Sequence, residues 1–167
     1  MFCVNDVVLY GNEGVCRIDD ITQRSFGDKS GDYYVLRPVN NGQLTLYVSV
    51  ANGNLESKVR KMVTADEITE IIDSTAHSAP HWINDENERK LRFKEIISSG
   101  DRRAILQVIR SIYVHRDEQL QKRKKLHAVD EYMLKDAEKI LYDEFAYVLN
   151  LKPEQVGELL TSKLAAG

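Results

Sequence analysis

The chain has 167 residues, of which 43% are hydrophobic and 29% charged, with a formal net charge of −3. That balance excludes disorder as the general state, and no apolar run approaches the ~20 residues that a bilayer-spanning helix needs. The opening MFCVNDVVLYG has no basic stretch and carries an acid among its apolar residues, so no signal peptide is expected; Cys3 and Cys16, without CxxC spacing, fit buried free thiols in a reducing compartment, and the expected location is cytoplasmic.

The first 64 residues read as short strands between turns. Val4 to Tyr10 ends at Gly11-Asn12-Glu13-Gly14, and Val15 to Ile21 follows. A polar stretch from Gln23 to Asp32 leads into a strand from Tyr33 to Val39. Asn40-Asn41-Gly42 supplies residues that tolerate positive φ, as a tight hairpin requires. After it, Leu44, Leu46, Val48 and Val50 alternate with Thr45, Tyr47 and Ser49, the cleanest period of two in the chain. A last short strand is expected over Val59 to Val63. Five strands at this spacing predict a small, strongly bent barrel of the SH3 or Tudor type.

From Thr64 the period becomes helical. Thr64 with Glu67 makes a capping-box pattern. Ser74 to Pro80 breaks that helix, and a second is expected to begin near Trp82 or Asn84 and to end at Gly100. Asp101 caps a third, with Ile105, Val108, Ile109 and Ile112 on one stripe. A fourth carries Met133, Ala137, Ile140, Leu141, Phe145 and Val148. Pro153 opens a fifth, with Val156, Leu159, Leu160 and the stem of Lys163 on one side. The fold class is therefore α+β, with a Tudor/SH3-like barrel over 1–64 and an all-helical domain over 65–167.

Charge is sorted into blocks along this chain. Residues 1–64 are neutral overall, 65–88 hold seven acids and no Lys or Arg, 89–125 hold twelve bases against four acids, and 126–167 are net acidic. A concentrated basic block on an acidic protein fits a local surface for a polyanion, while the bland reading is a set of solvated helix faces. Trp82, the single tryptophan, sits at the edge of that block. It reads either as a packing residue or as an aromatic side chain projecting from a helix entrance beside basic residues, the arrangement of minor-groove and strand-junction binders.

Catalytic constellations are not found. There is no GxxxxGK[ST], GxGxxG after a strand, GxSxG or HExxH. Pro80 separates His77 from His81, which argues against a shared metal-binding helix face, and His115 and His127 are expected to face solvent. No enzyme, metal, cofactor, small-molecule substrate or membrane partner is expected.

The segments VNDVVLYGNEGVCRI and YYVLRPVNNGQLTLYV, then Trp82, Ser99-Gly100-Asp101, DRRAILQVIRSIYVHRDEQ, KKLHAVDEYMLKDAEKILYDEFAYVL and LKPEQV, occur in an order that resembles the CarD/CdnL family of bacterial transcription regulators. The resemblance covers nearly the whole chain. It implies an N-terminal domain that binds the RNA polymerase β subunit, and a helical domain on promoter DNA at the upstream edge of the transcription bubble, with the tryptophan wedged in the minor groove. Carried onto this sequence, the polymerase-facing strand is Leu44 to Val50, including Thr45, Leu46, Tyr47 and Val48, with Arg24 near a second contact. The DNA-facing residues are Trp82, Arg89, Lys90, Arg92 and the run Lys122, Arg123, Lys124 and Lys125.

Two departures from the family pattern stand out. Tyr47 replaces an arginine, and Asp85, Glu86 and Glu88 intervene between the tryptophan and the first basic residue. The leading expectation is a non-enzymatic factor, tethered to polymerase, that stabilises the open promoter complex. The alternative is an adaptor that binds polymerase without using DNA, which those acids favour.

Overall fold

The change of hydrophobic period coincides with a division of the chain into two units, Met1–Met62 and Val63–Gly167, in a computed structural model that describes residues 1–51, 53 and 55–164. The architecture is α+β as expected: a five-stranded antiparallel sheet, then five helices of twelve or more residues.

In the first unit, β1 (Val7–Tyr10), β2 (Gly14–Phe26), β3 (Lys29–Pro38), β4 (Leu46–Ser49) and β5 (Val59–Lys61) pair in the order β4-β3-β2-β1-β5. Alternating side chains on one face meet across the strands, Val8 opposite Cys16, Ile18 opposite Leu36 and Tyr34 opposite Val48. All six are at most 4% exposed and form the core with Val59; each such aliphatic side chain contributes roughly 1.5–3 kcal/mol. The β2–β3 register shifts between Ile18 and Asp20. This bulge sharpens the local twist, and the Asp19 carboxylate there accepts from Arg17 Nε (2.9 Å) and Arg37 Nε (2.7 Å). A four-residue helical turn, α1 (Leu55–Lys58), precedes β5.

Several details differ from the sequence expectations. Gln23 to Asp32 is no loop: Gln23 pairs with Asp32, Arg24 with Gly31 and Ser25 with Ser30, and the chain reverses through Gly27 at φ 62°. Exposure of both faces of this arm removed the alternation by which a strand is recognised. Asn40-Asn41-Gly42 makes no two-residue hairpin. Seven residues, 39–45, link β3 to β4 through turns closed by Asn41 N–H to the Pro38 carbonyl and Leu44 N–H to the Asn41 carbonyl. Leu44 and Thr45 therefore precede β4, and Val63 is buried in the core of the second unit. Cys16 is fully buried, but Cys3 is exposed.

In the second unit the capping box closes as the sequence predicts: the Glu67 N–H donates to Thr64 Oγ1 and the Thr64 N–H to the Glu67 carboxylate. This starts α2 (Ala65–Ala76). α3 (Glu86–Ser99) begins later than expected because Asp85 is its N-cap, accepting from the Glu88 N–H at 2.8 Å, so Trp82 and Asn84 lie before the helix. Gly100 ends α3 at φ 72°, a backbone setting that costs an L side chain about 1–2 kcal/mol. Asp101 caps α4 (Arg102–Gln121); α5 (Ala128–Leu149) ends at Asn150, and α6 is Pro153–Leu164.

The apolar stripes of these helices converge on one core that includes Phe93, Ile105, Ile109, Ile112, Met133, Leu141, Phe145 and Leu160. Ile140 is 39% exposed, outside the stripe assigned to it, and Leu164 rather than Lys163 completes α6. The first residue of the unit is fixed from afar: the Val63 N–H donates to Glu144 (3.0 Å), whose buried carboxylate also takes Arg102 Nε (2.5 Å) and Nη2 (2.8 Å). Among the described residues, no helix is long and apolar enough to cross a membrane.

Candidate protein and nucleic-acid interfaces

The first candidate surface is the free side of β4, the end strand of the sheet. The Val50 N–H donates to the Asp32 carbonyl (2.9 Å), continuing the register in which Val48 faces Tyr34 and Leu46 faces Leu36. Bonded and non-bonded pairs alternate along an antiparallel ladder. Tyr47 and Ser49, opposite Val35 and Tyr33, therefore turn their backbone N–H and C=O groups away from β3. Val48 points its side chain into the core, whereas Tyr47 lies on the outer face and is 39% exposed.

Arg24 is brought to Tyr47. Its guanidinium lies 5.2 Å from the ring centroid, and Nη2 is 3.5 Å from the phenol oxygen. Phe26 joins them, 5.6 Å from Tyr47 and 5.1 Å from Tyr33 between ring centroids. Charge at this spot comes from β2, over the face of a tyrosine on β4. Phe26, 49% exposed, was missed in the sequence; the available signal was one large apolar side chain within an otherwise polar run.

The second candidate surface is on the helical unit. Lys122, Arg123, Lys124 and Lys125 are all exposed in the segment after α4, where the chain turns through Arg123 at φ 58°. Lys90 and Arg92 are exposed on α3, and Arg92 pairs with Glu95 at 3.3 Å. Arg89 does not belong with them. It is 3% exposed, donates through Nε and Nη2 to the two oxygens of Asp130 (2.8 and 3.0 Å), and gives Nη1 to the carbonyls of Ile83 and Asn84 (2.9 and 3.4 Å). A guanidinium with this set of buried partners is not available to a phosphate, because removing it would leave Asp130 charged and dry.

Trp82 is also placed otherwise than as a free projection. It is half-buried against the helical core. The His115 ring stacks on the indole at 3.7 Å between centroids with 10° between planes, and the Arg89 guanidinium lies 4.4 Å from its centroid. Phe93 meets it edge-on at 6.2 Å. His115, expected to face solvent, is held in this stack, and its desolvation lowers the imidazole pKa below the ordinary 6.5.

The acids after Trp82 have local employment. Asp85 is the α3 cap, Glu86 and Glu88 sit in the first turn where they complement the helix dipole, and Glu86 lies 3.9 Å from His127. Burial also raises the Cys16 thiol to about 11, so it is an inert apolar residue in this fold. Among the described residues, no group of three His, Cys, Asp or Glu side chains is arranged to hold a metal ion.

The family profile described as the CarD-like/TRCF RID domain matches residues 2–63, and that described as the CarD C-terminal domain matches residues 67–161. No protein of curated function matches the chain. The first profile spans the sheet unit, with its Tudor-like fold, and the second the helical unit, in the same order as the sequence segments. The chain belongs to the CarD/CdnL family of RNA polymerase-interacting transcription regulators.

Proposed function

We propose that this protein binds the β subunit of RNA polymerase along the outer edge of β4 and steadies the open promoter complex through its helical unit. The observation that carries the reading is the outward backbone of Tyr47 and Ser49 on an end strand, flanked by the Arg24 side chain. An exposed edge of this kind extends a partner's sheet by main-chain hydrogen bonds, while neighbouring side chains supply specificity. Once tethered, the helical unit acts at high effective concentration on promoter DNA, so a weak basic surface suffices on a chain of net charge −3. Lys122 to Lys125, with Lys90 and Arg92, would hold phosphates without reading sequence, and Trp82 would present its uncovered edge to a distorted minor groove at the bubble. The test is open-complex lifetime on a promoter with and without the protein. A longer lifetime is expected, and an unchanged one rejects the reading.

A second reading has its own support. With His115 and Arg89 against the indole and Arg89 withdrawn from the surface, Trp82 is a well-packed residue. An adaptor that binds polymerase and leaves DNA alone would need nothing more of it. Such a protein would bind the β subunit and leave promoter lifetime unaltered.

A further inference from the structure

We infer that His115 is a positioning residue for Trp82: it holds the indole in one pose, so that the ring meets DNA as a rigid edge rather than a mobile side chain. This rests on the reading that Trp82 works at the promoter. Trp82 lies in the irregular segment before α3, where the backbone alone leaves a large side chain free to turn. Three groups from the helices remove that freedom. His115 on α4 stacks in parallel at 3.7 Å, Phe93 on α3 braces the ring at 6.2 Å, and Arg89 covers it at 4.4 Å.

These three groups differ in how far the fold depends on them. Phe93 and Arg89 are each 3% exposed and belong to the core and to the Asp130 ion pair. The His115 side chain is 20% exposed, and its hydrogen-bond and ion-pair contacts are Gln119 at 3.1 Å and Glu118 at 4.0 Å, both on its own helix, while Asp130 and His127 act on it from farther away. His115 stacks nearly parallel to Trp82 and is the most exposed of the three. A side chain ordered before binding loses less entropy on binding, and a wedge at a base step must be held in its productive geometry by its neighbours.

The chain has a single tryptophan, so its emission reports on position 82 alone. His115→Ala preserves helix propensity in α4 and removes the stack; His115→Phe restores a flat ring without the imidazole. The full-length protein is measured for acrylamide quenching of Trp82 and for open-complex lifetime with polymerase on a promoter, beside Trp82→Ala. H115A is expected to raise quenching and shorten the lifetime by about two- to tenfold, the range that an aromatic pair is worth. H115F is expected to return both toward wild type. Unchanged quenching in H115A, or a short lifetime in H115F, overturns the inference. A wild-type lifetime in H115A beside a short one in W82A overturns the positioning role alone. A wild-type lifetime in W82A removes the promoter role of Trp82 itself, and the role of His115 with it.

Discussion

Arg89 meets Asp130 through both edges of its guanidinium fork, Nε to Oδ1 at 2.8 Å and Nη2 to Oδ2 at 3.0 Å, with side chains only 4% and 2% exposed. The pair ties the first turn of α3 to the first turn of α5. The remaining Nη1 takes the carbonyls of Ile83 and Asn84, so one side chain fixes both a helix pair and the approach to it from Trp82. Bidentate, charge-assisted geometry is what offsets the cost of desolvating the two ions.

Removing one partner leaves the other buried and uncompensated. Arg89→Ala or Asp130→Asn is expected to lower unfolding stability by about 3–5 kcal/mol. Arg89→Lys should recover only part of it, because an ammonium cannot span both carboxylate oxygens. Lys90→Ala, one residue along on the exposed face, should change stability by no more than ~0.5 kcal/mol. Urea titration of the four variants checks this. An Arg89→Ala protein as stable as Lys90→Ala would mean that the pair holds nothing together.

Proline at Tyr47 is a selective break. The Tyr47 N–H points away from β3, so a proline there removes a donor from the free edge without deleting a β3–β4 ladder bond, and edge positions are where sheets tolerate proline. Tyr47→Pro should abolish capture of the polymerase β subunit while leaving the far-UV helical signal intact. The conservative companion is Tyr47→Phe, which keeps the edge and the ring beneath Arg24 and should still bind. Undiminished capture by a folded Tyr47→Pro protein would exclude β4 as the docking strand.

What the sequence made legible was local. Thr64 with Glu67, Asp101, Gly100 and Pro153 act within a turn of themselves, and each does so at the expected place in the fold. Tertiary partners were invisible. Arg89 stood in a basic block, and its sign was legible, but the carboxylate that buries it lies 41 positions away on another helix. The stacking of His115 has no sequence signal, because a lone polar residue on a helix carries no mark of the ring it packs against. The Gln23–Asp32 arm failed for a different reason: its backbone pairs although neither face is buried, so no hydrophobic alternation records the strand.

The basic run after α4 is open to a direct electrostatic test. Lys122 is the C-cap of α4 and the other three follow it, so positive charge here also complements the helix dipole without any ligand. Neutralising Lys122, Arg123, Lys124 and Lys125 to Gln should weaken association of the full chain with duplex DNA. The slope of log affinity against log salt should fall by roughly 0.9 for each phosphate that is no longer neutralised. Arg89 should contribute nothing to that slope. A quadruple variant with the wild-type salt dependence would leave the run as a dipole-complementing, solvated segment.

His115 also gives the helical unit a pH dependence whose sign follows from its surroundings. Desolvation in the stack lowers its pKa from the ordinary 6.5; Asp130 and Glu118 pull it back up, while Arg89 and His127 push it further down. The folded protein therefore holds this imidazole neutral at pH values where the unfolded chain has already protonated it. Stability rises with pH wherever the unfolded state binds more protons. The contribution of His115 is thus fully present above pH 6.5 and is lost as the pH falls from there through the folded pKa. His115→Phe keeps a ring on Trp82 but has no proton to bind. Measured by urea titration between about pH 7.5 and about pH 5.5, the wild type should lose unfolding free energy relative to His115→Phe as the pH falls. A difference between the two proteins that stays constant across that interval, or that moves in favour of the wild type on acidification, would show that the stack does not lower the His115 pKa.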